Sequence, residues 1–329
     1  MRVALVVNTR RHEDEFQVEY DPPSTIERIR TGIESAGHEY AFIEADEGVA
    51  EQLKNLGPDL VFNRAEGLRG ESRESHIPCL LEMLGIPYVG SGPRTLAVCL
   101  DKGWTKTFVR AQGVPTPDFA IARRRSDFDA VDLDFPVILK PNAEGSSIGI
   151  NEDNVVWDQS GFRAKSEEMY ETYRRPILVE RFVPGREISV GMLGRPNAEP
   201  EVFPFLEVDF SRMPNDVGNV FGQIAKTKYD DLSHYLCPAP LSPNLASRID
   251  RIARRTWDVL EIKDFARIDF RIDDEGAPQF LEVNPLPGMD YDPDVKDFSF
   301  YTLMAFRAGY DYVGLVAGLL DSAIARSEL

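Results

Sequence analysis

Phe265-Ala-Arg-Ile-Asp-Phe-Arg-Ile-Asp273 and Gln279-Phe-Leu-Glu-Val-Asn284, joined by Asp274-Glu-Gly-Ala-Pro278, decide the reading of this chain. In the first stretch Ala266, Ile268, Phe270 and Ile272 alternate with Arg267, Asp269, Arg271 and Asp273, the period of a half-buried strand. In the second, Glu282 and Asn284 share one face, and Leu281 and Val283 take the other. Asp274-Glu275-Gly276 is turn chemistry, so the two strands are expected to pair as a hairpin. Centred between residues 275 and 276, the hairpin sets Asp269 opposite Glu282, with Asn284 further along the same face. Three hard oxygen donors then gather beside Arg267. A divalent ion such as Mg²⁺ takes such ligands and commonly shares them with nucleotide phosphates. The alternative for these strands alone is a solvated polar sheet face.

The rest of the composition narrows the class. A chain of 329 residues suffices for two or three domains. Its 37 basic and 55 acidic side chains leave a formal charge of −18, which argues against a nucleic-acid surface. A few lysines can still build a positive pocket in an acidic molecule. Cys79, Cys99 and Cys237 lack CxxC spacing and read as buried apolar residues in a reducing compartment, with neither a disulfide framework nor a zinc site. Met1-Arg-Val-Ala-Leu-Val-Val7 opens directly into a strand, and no run approaches the apolar length of a membrane span. A cytoplasmic protein without membrane partners is the expectation.

Along the first third, strands alternate with helices. A strand over Arg2–Val7 precedes a helix whose start is marked by the capping-box pair Ser24 and Glu27, with Ile26, Ile29 and Ile33 on one face and Gly37 as its stop. Strands over 40–45, 60–63 and 87–90 follow, separated by helices over Val49–Leu56 and around Ile77, Leu80, Leu81 and Leu84. This order implies a parallel sheet. Asn8-Thr-Arg-Arg11 stands where a dinucleotide fold would carry GxGxxG, and Gly90-Ser-Gly92 lacks the third glycine, which leaves a nicotinamide dehydrogenase as a weak alternative.

Ser91-Gly-Pro-Arg94 marks a boundary. A helix bearing Lys102 and Lys106 is broken by Gly113-Val-Pro-Thr-Pro117. Pro136-Val-Ile-Leu-Lys140 then reads as an apolar strand ending in a cation, followed by the small-residue loop Glu144-Gly-Ser-Ser-Ile-Gly149. Such a loop lets backbone N–H groups approach a phosphate, although it is not a Walker A sequence. Strands are expected over 177–183, 187–193 and 202–208. Residues 209–231 show no long apolar period and are long enough for a lid or for a disordered insertion. Ser242-Pro243 starts a helix with Leu245, Ile249, Ile252, Ala253 and Leu260 on one face.

Taken in order, these pieces resemble the D-alanine–D-alanine ligase family of ATP-grasp enzymes. The matching stretches are Leu80-Leu-Glu-Met-Leu-Gly-Ile-Pro-Tyr-Val-Gly-Ser-Gly92, Asp101-Lys102, Val137-Ile-Leu-Lys140-Pro with Glu-Gly-Ser146-Ser147, and Val179-Glu180 with Gly-Arg-Glu187. Lys228-Tyr229, Arg267-Ile-Asp269-Phe and Glu282-Val-Asn284-Pro-Leu-Pro-Gly288-Met complete the set. The resemblance implies an α/β ATP-grasp fold with an N-terminal parallel domain over 1–93, a small central domain over 94–178 and a C-terminal catalytic domain over 179–329.

It also implies roles. Lys102, Lys140 and Ser147 would contact the ATP phosphates, Glu180 and the Val183 backbone the adenine, and Glu187 the ribose. Asp269, Glu282 and Asn284 would hold two Mg²⁺ ions, or Mn²⁺ in their place. Arg267 and the Gly288 amide would stabilise a tetrahedral oxyanion. Ser146 and Tyr229 would orient substrate, Lys228 would close the lid over ATP, and Glu19 would take the first substrate's ammonium, with Glu15 and Asp21 as competitors. The implied reaction joins an amino-acid carboxylate to an amine through an acyl phosphate. Partners would be small-molecule substrates, with a homodimer as the expected assembly.

Three departures bear on the substrates. Glu66 stands where the family commonly carries histidine, in a segment longer by two residues, and His76 sits at the wrong spacing. The N-terminal loop offers several acids for one ammonium. Pro293 occupies the place of a serine that holds the second substrate's carboxylate, flanked by Asp292 and Asp294, with Lys296 the nearest replacement. The alternatives are a ligase for other amino acids or an amine in a specialised pathway, a nucleotide-binding protein without chemistry, and a kinase that stops at the phosphorylated intermediate.

Overall fold

The computed structural model describes residues 1–12, 17–214, 217–229, 231–292 and 297–329. In its first part the strand–helix alternation builds a parallel sheet. β1 (Arg2–Val7), α1 (Pro23–Ser35), β2 (Glu39–Glu44), α2 (Val49–Leu56), β3 (Leu60–Arg64), α3 (His76–Leu84) and β4 (Tyr88–Val89) give the order β2-β1-β3-β4. The Ser24–Glu27 capping box does not form. Pro22 is the N-cap without a side-chain bond, and Pro23 at the first helical position supplies the fixed φ that starts α1. Gly37, at φ +82°, ends the helix as expected.

After α4 (Pro93–Leu100) and α5 (Lys102–Ala111), a small antiparallel sheet has the order β5-β8-β6-β7. Its elements are β5 (Phe119–Ala122), β6 (Val137–Pro141), β7 (Val155–Val156), α6 (Gln159–Tyr173) and β8 (Ile177–Arg181). The third sheet contains β9 (Arg186–Arg195), β10 (Ala198–Val202), β11 (Leu206–Val208), β12 (Tyr235–Leu236), β13 (Phe265–Ile272) and β14 (Pro278–Asn284). Its order is β12-β11-β9-β13-β14, with β10 on β9. α7 (Gln223–Lys228) and α8 (Pro243–Val259) lie between its strands in sequence, and Ser242 caps α8 through the Leu245 N–H. The chain ends with the short pair β15 (Tyr291–Asp292) and β16 (Asp297–Phe298), then α9 (Phe300–Arg307) and α10 (Tyr312–Ser327).

Two strand expectations are corrected. The strand expected over 202–208 is broken at Phe203-Pro204-Phe205, where proline offers no N–H to a ladder. β13 is buried on both faces, with Asp269 6% and Arg271 4% exposed, because its charged face is roofed by other parts of the chain. The hairpin register holds only through a bulge. Ile272 faces Pro278 and Arg271 faces Gln279, a pairing one residue out of step with the expected centre. The partner then jumps from Phe280 to Glu282, which restores Asp269 opposite Glu282 and Arg267 opposite Asn284. Leu281, the extra residue, joins Glu282 in lining one pocket instead of the opposite face.

α10 ties the N-terminal sheet to the third one. Leu315, Val316, Leu319, Leu320 and Ala323 are fully buried in a core that also takes in Val3, Leu5, Ile29 and Ile33. Among the described residues no single helix is long and apolar enough to cross a membrane, and the apolarity of the bent α9–α10 pair is spent on this core. Gly32 of α1 lets the two helices touch, since a Cβ there would lie 2.6 Å from Val316 Cβ. Gly32→Val should therefore lower stability by about 1–3 kcal/mol through overpacking. Adding Val316→Ala to the same chain should recover part of the loss in a denaturant titration, and no recovery would disprove the contact as its cause.

Candidate active site

Over the β13–β14 hairpin lies a cavity of ≈ 670 Å³. Arg267 and Asp269 of β13, Glu282 and Asn284 of β14, and Gly288 in the following turn all line it. So do Ser146 and Ser147 of the loop after β6, Glu187 of β9 and Lys226 of α7, with Asp290, Phe298, Ser299 and Phe300 at one end. Ser146 and Ser147 adopt φ of +48° and +58°, a left-handed geometry that non-glycine residues seldom take. It bends the loop back over the cavity.

Charges in this space are matched. Arg267 Nε lies 3.1 and 3.0 Å from the two Asp269 oxygens, and Ser189 Oγ donates to Asp269 Oδ1 at 2.6 Å. Burial opposes the Arg267 charge, but Asp269 and Glu282 outweigh it and raise the pKa. Burial also opposes the Glu282 charge. Lys102, whose Nζ is 3.5 Å away, Arg267, Lys226 and Lys140 overcome that and pull the carboxyl down to about 2. Glu187 moves the other way: burial raises it, Asp269 adds to the rise, and Arg271 at 3.3 Å opposes.

The oxygen set fits a hard divalent cation. Two carboxylates and the Asn284 amide face one space, Glu282 is held ionised, and Asn284 Oδ1 is fixed by the Leu286 N–H at 3.0 Å. Among the described residues no group of three His, Cys, Asp or Glu side chains forms another cage.

A narrower slot of ≈ 60 Å³ opens from the cavity through the shared residues Ser147, Glu187, Phe221 and Glu282. Ile138, Ile150, Phe182, Val183 and Leu281 give it apolar walls, and Lys140 and Glu180 also line it. An apolar slot beside cations is the shape and chemistry that a planar base with a phosphate tail requires. Glu180 is 1% exposed and sits between Lys106 at 2.5 Å and Lys140 at 2.9 Å. Burial pushes the Lys106 amine down to about 8, with Glu180 opposing. Lys102 donates to the Glu144 carbonyl at 2.6 Å, which places it between the serine loop and Glu282.

The long segment after β11 is folded down rather than loose. Val217, Val220, Phe221 and Ala225 are buried, and Phe221 stacks on Phe300 with ring centroids 5.1 Å apart. Ser147 Oγ donates to the Phe221 carbonyl at 3.2 Å, and Gln223 N donates to Ile150 O at 2.8 Å. The segment thereby closes on the serine loop. Within it Lys226 lines the cavity, whereas Lys228 is exposed and Tyr229 packs against the main core. Residues two apart on a helix face nearly opposite sides, so the phase of α7 decides which lysine enters.

At the N-terminal edge Glu19 Oε2 accepts from Arg73 at 2.7 Å, and Glu19 Oε1 lies where a Cβ on Gly145 would be, 2.0 Å from it. Glu19 thus stands against the serine loop without being part of the cavity lining. Asp21 is bound to Arg64, His76 is exposed at the start of α3, and Cys79 is exposed where a buried thiol was expected. Glu66 and Glu74 are each 8% exposed. Burial raises both, Glu66 well above the usual range and Glu74 to about 7, with neighbouring carboxylates adding to the effect. Glu15, Pro293 and Lys296 lie outside the described residues. Lys226, Arg73, Glu74 and Arg64 were assigned no role from sequence. Only Arg64, a charged residue closing an apolar strand, carried a local signal.

The model of the D-ala D-ala ligase C-terminus matches residues 108–321. A D-alanine–D-alanine ligase of Chromohalobacter salexigens is 32% identical over 323 residues, covering 98% of this chain and 94% of that protein. An uncharacterised protein of Sinorhizobium fredii is 34% identical over 303 residues, covering 90% of this chain and 86% of its own length. The crystal structure of the Bacillus anthracis D-alanine–D-alanine ligase complexed with ATP superposes with a TM-score of 0.75 at 21% identity, covering 100% of this chain and 99% of that one, which establishes the ATP-grasp fold. With a matched segment running through the hairpin and relatives aligned over nearly all of it, the chain belongs to the D-alanine–D-alanine ligase family and is an ATP-dependent ligase that forms a carbon–nitrogen bond.

Proposed function

We propose that this enzyme activates an amino-acid carboxylate as an acyl phosphate and transfers it to an amine, with ATP in the slot and the reacting groups over the hairpin. The convergence of Arg267, Asp269, Glu282, Asn284 and Gly288 on one cavity carries this reading, because nucleotide binding alone does not need the whole set. A donor carboxylate oxygen attacks the γ-phosphorus, and the bond to the β-phosphate oxygen breaks to release ADP. The amine nitrogen then adds to the acyl carbon. Collapse of the resulting oxyanion expels inorganic phosphate, which leaves with the electron pair of the broken C–O bond as the nitrogen loses its proton.

Both steps concentrate negative charge, so positioned cations and N–H donors do most of the work. Lys102 and Lys140 neutralise phosphate oxygens, and Glu180 holds Lys140 in place. Mg²⁺ held by Asp269, Glu282 and Asn284 would screen the phosphate charge. Arg267 and the Gly288 N–H receive the oxyanion, where losing one donor costs about 3 kcal/mol of barrier. The lid, with Lys226, Lys228 and Tyr229, excludes the water that would hydrolyse an acyl phosphate, while Ser146 and Glu19 orient the donor.

D-alanine, the substrate named in the relatives, is the first donor to test. Glu66 at the family's histidine place favours a second reading, in which the same chemistry serves another amino acid or amine. A cytoplasmic homodimer completes the proposal. An ADP-release screen over pairs of D- and L-amino acids and simple amines, with products identified by mass spectrometry, tests it. ADP release with no amine-dependent product would favour a kinase.

Asp269→Asn and Glu282→Gln should each abolish turnover while leaving the circular dichroism spectrum nearly intact, with a lower thermal midpoint because buried cations lose a partner. Turnover at the unsubstituted rate in either would remove the metal assignment. Between the lid lysines, Lys226→Met should cut kcat about tenfold or more, in the range of a lost charge-stabilising group, and Lys228→Met less. The reverse ranking would give the phosphate contact to Lys228.

Glu74 supplies a pH test. Its folded pKa of about 7 lies above the value of 4.5 for an unburied glutamate, so between the two the folded state binds the extra proton and stability falls as pH rises. Glu74→Gln should match the unsubstituted protein near pH 5 and exceed it above pH 7 by up to about 3 kcal/mol. Equal stabilities at both pH values would show that Glu74 ionises freely in the folded protein.

A further inference from the structure

Arg64 closes β3 with a side chain that is 1% exposed. Its Nε and Nη2 each donate to Asp21 at 3.0 Å, a two-point pair with a partner that is itself 3% exposed. The remaining nitrogen, Nη1, donates to the Pro287 carbonyl at 2.7 Å, across 223 residues of sequence. Burying an ion pair is costly, and an apolar pair would stabilise the fold as well or better. A structural account alone therefore leaves the third hydrogen bond unexplained.

Pro287 immediately precedes Gly288. In a planar trans peptide the C=O and the following N–H point in opposite directions, so fixing the carbonyl fixes the aim of the Gly288 N–H. Gly288 lines the cavity, and among the described residues no acceptor takes its N–H. The next carbonyl, of Met289, accepts from Tyr312 Oη at 3.0 Å, and that of Asp290 accepts from Ser299 N and Thr302 Oγ1. The turn is thus held by Tyr312, Thr302 and the cavity-lining Ser299, with the Gly288 amide left without an acceptor among the described residues. A cationic donor on the carbonyl also polarises the peptide and strengthens its N–H. Burial opposes the Arg64 charge, but Asp21 more than compensates, so the guanidinium stays charged.

We propose that Arg64, held by Asp21, is a positioning residue that aims and polarises the Gly288 N–H for the oxyanion formed when the amine attacks. The inference rests on the acyl-phosphate reading and assigns Arg64 to the second step only. Removing Arg64 alone would strand Asp21, so the test uses Arg64→Met together with Asp21→Leu, an apolar pair that keeps the site filled. Two rates are compared in the full-length enzyme with a donor that is not its own acceptor and an amine acceptor, both selected by the ADP-release screen. One is amide formation. The other is amine-independent exchange of ¹⁸O between bridge and non-bridge positions of ATP, which reports acyl-phosphate formation.

The expected result is a loss of about 10- to 100-fold in kcat for amide formation, the size of a misaimed donor, with exchange and the KM for ATP unchanged. Equal losses in both rates, or no loss in either, would overturn the proposal. Failure of the underlying reading would appear elsewhere, as absence of donor-dependent exchange in the unsubstituted enzyme.

Discussion

Glu282 keeps its carboxylate charge inside a cavity, beside Asp269, where an isolated ion would instead neutralise itself. What permits this is the opposing set of Arg267, Lys102, Lys140 and Lys226, drawn from three separate parts of the chain. Arg267 and Asp269 come from one strand, two residues apart, and are therefore locked to each other by the sheet. Lys102 belongs to the helix before the small sheet, Lys140 to one of that sheet's inner strands, and Lys226 to the lid. The charge balance is complete only when all three parts are together, so assembly of the fold and assembly of the site are one event.

Much of this was legible in sequence because the hairpin obeys a simple alternation. Asp269 and Glu282 are opposite each other as the turn predicted, yet for a reason that no alternation contains. The turn is displaced by one residue, and the bulge at Leu281 takes the displacement back. Helix phase was likewise hidden. α7 is six residues long, too short for an apolar period, so nothing in the sequence told Lys226 from Lys228. The Ser24–Glu27 pattern was present, but two prolines fixed the helix start ahead of it. The acids of the N-terminal loop looked interchangeable in sequence. Their partners distinguish them: Asp21 is consumed by Arg64 and Glu19 by Arg73, contacts spanning 43 and 54 residues that local patterns cannot express.

Glu66 and Glu74 put two raised carboxyl groups at the N-terminal edge, near Glu19 and Tyr20. A histidine at the Glu66 place would bring a donor, whereas a protonated glutamate brings a donor only while it keeps its proton. A cation brought near either carboxyl would draw its proton off by favouring the charged form.

The contacts that join the three sheets differ in kind. The N-terminal and third sheets share an apolar core through α10, reinforced by the buried Arg64–Asp21–Pro287 chain and by Arg326, which reaches both Asp264 and the Tyr88 carbonyl. Breaking that union would expose a large apolar area. The small sheet is tied to the N-terminal part by Arg73 with Glu19, Glu144 and the Ala143 carbonyl, and to the lid by five hydrogen bonds between residues 147–152 and 219–224 and by an apolar cluster of Ile138, Ile150, Val155, Phe182 and Val220. Such polar contacts exchange for water at a net cost of about 0.5–1.5 kcal/mol each. The lid is held differently again, since Val217, Phe221 and Ala225 belong to the main apolar core and Phe221 stacks on Phe300. Of the three joints, the one between the small sheet and the N-terminal part is therefore the most polar.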